Sequence, residues 1–314
     1  MRTGVSYMGH HNPRHMKTDM RDIRALGCDD VLLAAQENDF AYMTGKIDFF
    51  PEIAKDHGIR PLAIFWGALN LFGGGRSSQF LLECPQARQV DSNGSLQAAG
   101  CYNHPAAVAQ IKSMLDRIAE LGFAGYFIDE PSPIDCYCPS CAKLFERVFS
   151  SVLAKADGRS LREFRHYCVL HYIQTIADYI KHTYPTMEAM CCLMPNDRQL
   201  WNDVAAIESL DNLGTDIYWV NEDVDVARMV PLVRDMANVC STHQKKHHQW
   251  LQAWGVHKGR ESRIETQGEI LIQENPDALY VWAYQGQLGT SESCDNPAAA
   301  WAAACEILRK AKEA

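Results

Sequence analysis

No run in this 314-residue chain reaches the roughly 18 apolar residues of a membrane-spanning helix, so no membrane partner is expected. Positive charge is also scarce. Thirty Lys and Arg face 39 Asp and Glu, a net charge of −9. Phosphate backbones are bound by concentrated cations, so a general nucleic-acid binder is not expected either. The basic cluster Lys245-Lys246-His247-His248 reads as a solvated loop ahead of a strand. No secretory leader is expected: the first apolar run, from Gly4, reads as a strand, without a long apolar core or a small-residue cleavage site. This predicts a cytoplasmic protein, although a chain trimmed of its leader would read the same. No glycine-rich dinucleotide fingerprint follows that strand, where the sequence is Gly9-His10-His11-Asn12. Gly73-Gly74-Gly75-Arg76 has neither the lysine nor the Ser/Thr of a phosphate loop and reads as a flexible lid. No organic cofactor is expected.

What the chain does have is an apolar core and thiols. It is 47% hydrophobic, enough for a sizeable core. Twelve cysteines without an export signal suggest reduced thiols and metal ligands, not a disulfide scaffold. Apolar runs rich in β-branched and aromatic residues alternate with amphipathic stretches, the signature of a parallel α/β sheet. Eight strands are predicted, at 4–9, 30–35, 60–66, 125–128, 187–193, 212–219, 248–254 and 278–284. Helices are predicted between them, among others at 16–26, 106–121, 142–154, 161–184, 223–238 and 260–273, with a last one at 298–312. Eight such units predict a single (β/α)8 TIM barrel over residues 1–314, with a doubly wound open sheet as the alternative. Two insertions stand out: residues 70–103 after the third strand, and a cysteine-bearing connection after the fourth. Both fall at the C-terminal face of the barrel, where active sites of this fold are built.

The fourth strand runs into two adjacent carboxylates, Tyr126-Phe127-Ile128-Asp129-Glu130-Pro131. Cleaving a glycosidic bond takes a carboxylic acid to protonate the leaving oxygen and a second group to stabilise or capture the anomeric carbon. Neighbouring carboxyls suit this, because ionising one raises the pKa of the other. A capping role for one and solvation of the other is the plainer alternative. The next motif, Cys136-Tyr137-Cys138-Pro139-Ser140-Cys141, supplies three thiols at metal-ligand spacing. A structural tetrahedral site needs a fourth ligand, for which Cys101 and Cys84 are both candidates.

These residues resemble a known family. Asp91-Ser92-Asn93-Gly94, then Cys101-Tyr102-Asn103-His104-Pro105, then a fourth strand ending in Glu130 and the Cys136–Cys141 run with Phe145 beyond it are similar to family 42 glycoside hydrolases, the β-galactosidases. The resemblance covers about 60 residues. It implies a barrel fold, a structural zinc on Cys101, Cys136, Cys138 and Cys141, and Glu130 as acid/base. The chain departs from that family in two places. Asp129 stands where the family has Asn. The seventh strand, His248-Gln249-Trp250-Leu251-Gln252-Ala253-Trp254, has no acid where the family carries its nucleophilic Glu.

One mechanism accounts for both departures. Asp129-Glu130-Pro131 resembles the Asp-Glu pair of family 20 and family 123 β-N-acetylhexosaminidases. There the sugar's own 2-acetamido oxygen attacks the anomeric carbon, a recognised exception to the two-carboxylate rule. The resemblance implies that Glu130 is general acid/base and Asp129 orients the acetamide. It also implies a retaining, exo-acting β-N-acetylhexosaminidase, with β-N-acetylgalactosamine favoured as substrate. Tyr218 would assist the cyclised intermediate. Other strand ends offer a sugar pocket: His10, Glu37, Trp66, Asp216, Trp219, Gln252, Trp254, Trp282 and Tyr284. His10-His11 read as a polar-contact site for sugar rather than a metal site. The expected partner is a carbohydrate, and a homo-oligomer is compatible with this reading. The rival readings are a two-carboxylate glycosidase with Asp216 or Glu292 as nucleophile, one with Asp129 as nucleophile and Asp216 as acid, and a carbohydrate-binding barrel without catalysis.

Overall fold

In the computed structural model, residues 1–71 and 77–314 are described, so the Gly73–Arg76 lid expectation falls outside them. The strands are β1 (Arg2–Tyr7), β2 (Asp30–Ala35), β3 (Arg60–Phe65), β4 (Arg88–Val90), β5 (Leu96–Gly100), β6 (Gly125–Ile128), β7 (Glu188–Leu193), β8 (Asn212–Asp216), β9 (Lys246–Gln252) and β10 (Ala278–Trp282). Eight of them close a barrel in the order β1-β10-β9-β8-β7-β6-β3-β2. Every barrel pairing is parallel. This is the predicted (β/α)8 architecture, and the predicted fourth strand is β6. Both faces of each barrel strand are covered, which is why the strands read as unbroken apolar runs.

The helices are α1 (Pro13–Ala25), α2 (Glu37–Ala41), α3 (Gly45–Asp56), α4 (Gln79–Glu83), α5 (Pro105–Glu120) and α6 (Pro139–Phe149). They continue with α7 (Gly158–Thr183), α8 (Arg198–Ala205), α9 (Met229–Thr242), α10 (Ser262–Gln273) and α11 (Pro297–Glu313). Several start on a local signal. Asn12, His104 and Asn296 each cap a helix through the side chain, with Pro13, Pro105 and Pro297 in the first position. The predicted helix at 223–238 starts later, at Met229, because Val226–Arg228 forms a 3-10 turn capped by Asp225. The pattern did not reveal α3, which carries Pro51 in its interior and so breaks the usual helical signal.

Residues alternate inward and outward along each strand. Leu32, Leu62, Ile64, Phe127, Met190, Cys192, Trp250, Tyr280 and Trp282 fill the barrel interior. Beneath them lies a polar floor. The buried Asp30 carboxylate accepts from Arg2, Arg60 and the Tyr280 hydroxyl. Glu188 pairs with Arg60 and Lys246 and accepts from Asn212. Paired and hydrogen-bonded in this way, both carboxylates stay below the usual range despite burial.

The floor corrects the reading of the 245–248 cluster. Lys246 opens β9, and His247 and His248 are buried within it. Burial pushes the His247 imidazole down to about 4 and that of His248 well below its ordinary value. His248 Nδ1 lies 2.7 Å from Asn212 Oδ1, and the ring fills space that a side chain at position 214 would need. A Cβ on Gly214 would sit 2.3 Å from the His248 carbonyl oxygen. Lys245 is no solvated loop residue either: its ammonium donates to the carbonyls of Ile207 and Leu210.

Candidate active site and metal centre

Asp129 follows β6 in the inward register of Gly125 and Phe127. Phe127 packs against the rings of His248 and Trp250 inside the barrel. Asp129 thus continues toward the mouth. Its carboxyl is pushed well above the ordinary carboxylate range, by burial first and by the Glu130 charge second. The residue still reaches the cavity surface, so the carboxyl is desolvated without being sealed off. Glu130 sits at φ 41°, in the left-handed region that non-glycine residues avoid. Such strain at a strand end is a mark of functional positions. Ser132 holds the exit, donating toward the Glu130 carbonyl oxygen (3.3 Å) and the Asp197 carboxylate (3.2 Å).

β8 ends in Asp216, which is 3% exposed. Its Oδ1 is buried without a hydrogen-bond partner. Burial, then the Glu130 carboxyl, pushes Asp216 well up. The Tyr218 phenol is also pushed well up, by burial and then by Asp216. A cavity of about 360 Å³ opens above these groups, lined by Trp66, Asp129, Glu130, Met194, Tyr218, Trp254, Trp282 and Glu292. Tyr218 and Trp254 meet edge to face, and Trp66 and Trp282 pack at 6.1 Å between ring centroids. Larger surface grooves, such as one of about 780 Å³ lined by residues of α5, α6 and α7, contain none of these carboxylates.

The other predicted pocket residues are engaged elsewhere. Glu37 accepts from the backbone N–H groups of Leu69 (2.7 Å) and Phe80 (3.2 Å), tying down the connection after β3. Gln252 accepts from Val220 N and donates to the Trp254 carbonyl. His10 lies 5.0 Å from the His15 ring. Trp219 packs against the outer core. The Tyr284 hydroxyl donates to Asp19, and its ring packs against Tyr7 and Trp301. None of these five side chains lines the cavity.

Glu292 enters the cavity by a route with no sequence signal. Gln285, Gly286 and Gln287 all have positive φ, at 52°, 64° and 57°. This turn buries Gln287, which accepts from the Trp282 indole N–H (2.8 Å) and donates to the Glu292 carboxylate (2.8 Å). Trp282 and Glu292 are thereby fixed relative to each other.

The four thiols of Cys101, Cys136, Cys138 and Cys141 are buried, with all Sγ atoms within 4.8 Å of one another. Cys84 is not among them. All twelve cysteines are free, and the 3.4 Å between the Cys101 and Cys141 sulfurs is far beyond a disulfide. Ligands about 2.3 Å from a tetrahedral metal lie roughly 3.8 Å apart, close to what is seen here. Asn103 adds outer support: its backbone N–H points to Cys101 Sγ (3.4 Å) and its side-chain amide to Cys141 Sγ (3.2 Å). The donor set fits a metal ion. Cys101 comes from the end of the β4–β5 hairpin and the other three from the connection after β6. The hairpin also accepts a bond from Tyr137 N at Val90 O. The clip therefore joins the two insertions.

No protein-family model and no curated protein matches the chain. Solved structures do. The β-galactosidase of the Antarctic haloarchaeon Halorubrum lacusprofundi superposes with a TM-score of 0.76 at 17% identity, over 99% of this chain and 58% of that one. The β-galactosidase of Marinomonas ef1 gives 0.73 at 11% identity, over 99% and 60%. The endo-1,4-β-mannanase of Rhizomucor miehei gives 0.65 at 12% identity, over 98% and 95%. The likeness is one of fold. The chain spans under two thirds of the length of both β-galactosidases and nearly all of the mannanase.

Proposed function

We propose that the chain is a glycoside hydrolase, specifically a retaining, exo-acting β-N-acetylhexosaminidase in which the 2-acetamido group is the nucleophile. N-acetylgalactosamine is the favoured sugar. The observation that carries the reading is the cavity at the barrel mouth, where adjacent carboxyls meet a tyrosine and three tryptophan walls. Aromatic faces suit the C–H surface of a pyranose, with a few polar groups fixing its orientation. The solved structures of similar fold carry glycosidase names, which agrees with this reading. Glu130 protonates the leaving oxygen. Asp129 accepts the acetamide N–H and steadies the positive charge that develops as the ring closes. Their adjacency couples the two groups: burial first and the Glu130 charge second push the Asp129 carboxyl well up. Tyr218 donates to the cyclising oxygen. The strand that carries the nucleophile in the β-galactosidase family presents only Gln252 and Trp254 at its end here, which favours a nucleophile from the substrate. We further assign the four-cysteine site to zinc in a structural role.

A panel of aryl glycosides tests this. Aryl β-GalNAc or β-GlcNAc should be cleaved, and aryl β-galactoside and β-glucoside should not. One observation favours a second reading. Glu292 shares the cavity with Glu130, so a two-carboxylate mechanism would use it as nucleophile. Cleavage of sugars without the acetamide, with a glycosyl adduct on Glu292, would establish that instead.

The tryptophan walls separate into two kinds. Trp254 is half-buried at the mouth, so Trp254→Ala should raise KM more than it lowers kcat, as loss of uniform binding does. Trp282 also packs on Trp66 and Trp250 in the barrel interior. Trp282→Ala should therefore also destabilise the fold, by about 3–5 kcal/mol as for large core truncations. Steady-state kinetics and thermal melts of the two variants would check the difference. Equal melting temperatures would place Trp282 outside the core.

A further inference from the structure

The proposed mechanism places the terminal sugar and leaves the aglycone unplaced. The cavity holds about 360 Å³, close to the lower bound of about 300 Å³ for small-ligand sites, which suits one sugar. Glu130 protonates the oxygen that leaves, so the aglycone departs on the Glu130 side of the mouth. A second cleft, of about 640 Å³, opens there, lined by Pro133, Arg162, Glu163, Arg165, His166 and Gln199. Two stretches of chain run from the cavity to this cleft. After β6, Glu130 lines the cavity and Pro133 the cleft. After β7, Met194 lines the cavity and Gln199 the cleft. From Glu130 to Pro133 the chain can span no more than about 11 Å, so the cleft begins within reach of a second sugar. Ser132 joins the two stretches at the divide, through its contacts to the Glu130 carbonyl oxygen and the Asp197 carboxylate. The other Asp197 oxygen accepts from the Gln199 amide at 3.4 Å.

The charge in the cleft comes from one face of α7. Arg162, Arg165 and His166 stand three and four residues apart and so share that face. Like charges at this spacing repel one another. Asp135 pairs with Arg165 and Asp203 with His166, from outside the lining. Both acids are largely exposed, and exposed pairs of this kind contribute little. Glu163, the acid within the lining, is held by Arg159 one turn away. Among the described residues Arg162 has no ion-pair partner. The lining therefore offers two guanidinium groups and an imidazole against one engaged carboxylate. No aromatic side chain lines the cleft, in contrast to the tryptophan walls of the cavity. Guanidinium forks match carboxylate and sulfate oxygens in pairs.

We infer that the cleft beside Glu130 binds the leaving sugar, and that this sugar is anionic, carrying a carboxylate or a sulfate that Arg162 and Arg165 receive. The inference rests on the proposed glycosidase reading and names its substrate class: a terminal N-acetylhexosamine linked to an acidic sugar. Three disaccharides with the same terminal β-N-acetylhexosamine test it. One carries a uronate as second sugar, one the same sugar with its carboxylate reduced to the alcohol, and one that neutral sugar with a 6-sulfate. The parent should cleave the uronate or the sulfated compound with kcat/KM about tenfold above the neutral one, the scale of one hydrogen bond to a charged group. Which of the two is preferred identifies the anion. In the double variant R162A/R165A the acidic-to-neutral ratio should fall to about one. A ratio is indifferent to how much of a variant folds. A parent that cleaves aryl glycosides but none of the disaccharides, or all three equally, would overturn the inference, as would a preference that survives in the double variant. If no N-acetylhexosaminide is cleaved, the hexosaminidase reading fails and the cleft is tested by binding. Methyl β-glucuronide, titrated against the parent by NMR, should then bind at least tenfold more tightly than methyl β-glucoside, and the double variant should lose the difference. Equal binding of the two by the parent would overturn the inference by itself.

Discussion

Cys138→Ser should release zinc and lower the melting temperature by more than an ordinary substitution, while the folded fraction keeps its chemistry. Cys101, Cys136, Cys138 and Cys141 share a small apolar cluster with Leu144, Phe145, Leu153, Phe164 and Cys168, apart from the main barrel core. Phe145 stacks on Phe149 and meets Phe164 edge-on, but the loop from Pro131 to Cys138 contains no helix or strand. Structural zinc contributes folding free energy directly, and apparent binding energies of about 10–16 kcal/mol are typical of four-ligand thiolate and imidazole sites. Losing one ligand should therefore exceed the roughly 0.5–3 kcal/mol of most substitutions. Activity per folded molecule should fall less, because none of the four cysteines lines the cavity. Elemental analysis and thermal melts with and without a chelator would check this. Less than about one zinc per chain after gentle purification, or a chelator-insensitive melt, would reject the assignment.

The barrel was legible because its strands are covered on both faces and bounded by capped helices. Strand ends were read two or three residues too far at 212–219, 248–254 and 278–284. The inward alternation continues past the last ladder bond there, so Tyr218, Trp254 and Tyr284 looked like strand. For Tyr218 and Trp254 that error did no harm, since both line the cavity. For Tyr284 it mattered: the chain turns after Trp282 and sends the ring toward α1 and α11. Cys101 and Cys84 could not be separated by spacing, because the β4–β5 hairpin that delivers Cys101 is itself a tertiary feature. Glu37 shows the limit from another side. A carboxylate just past a strand end looks like a ligand group, yet it satisfies two backbone donors of a neighbouring connection. Glu292, a candidate nucleophile in the rival two-carboxylate reading, does line the cavity, delivered by three successive left-handed residues of which only one is glycine.

Glu130→Gln and Asp129→Asn should fail in different ways, and the difference tests the mechanism itself. A general acid matters in proportion to how badly the leaving group needs a proton. Glu130→Gln should therefore lose about 10²–10⁴-fold on substrates with poor leaving groups, within the usual range for such catalysts, and far less on activated aryl glycosides. Asp129 acts on the acetamide, not on the leaving group. Asp129→Asn replaces an acceptor of the N–H with a group that can present its own N–H, and it cannot balance the charge of the cyclised ring. Its loss should be similar for good and poor leaving groups alike. Both side chains project into the same 360 Å³ space, so neither change leaves a buried void of its own, and both variants should fold. A thiazoline that mimics the cyclised intermediate should inhibit the parent strongly, as intermediate and transition-state analogues do. It should bind Asp129→Asn much more weakly, because the contact that recognises the ring nitrogen has gone. Kinetics across a leaving-group series, with inhibition constants for both variants, supply the measurement. Equal leaving-group dependence in the two variants, or thiazoline binding indifferent to Asp129, would remove the acetamide from the mechanism and leave Glu130 and Glu292 as the reacting pair.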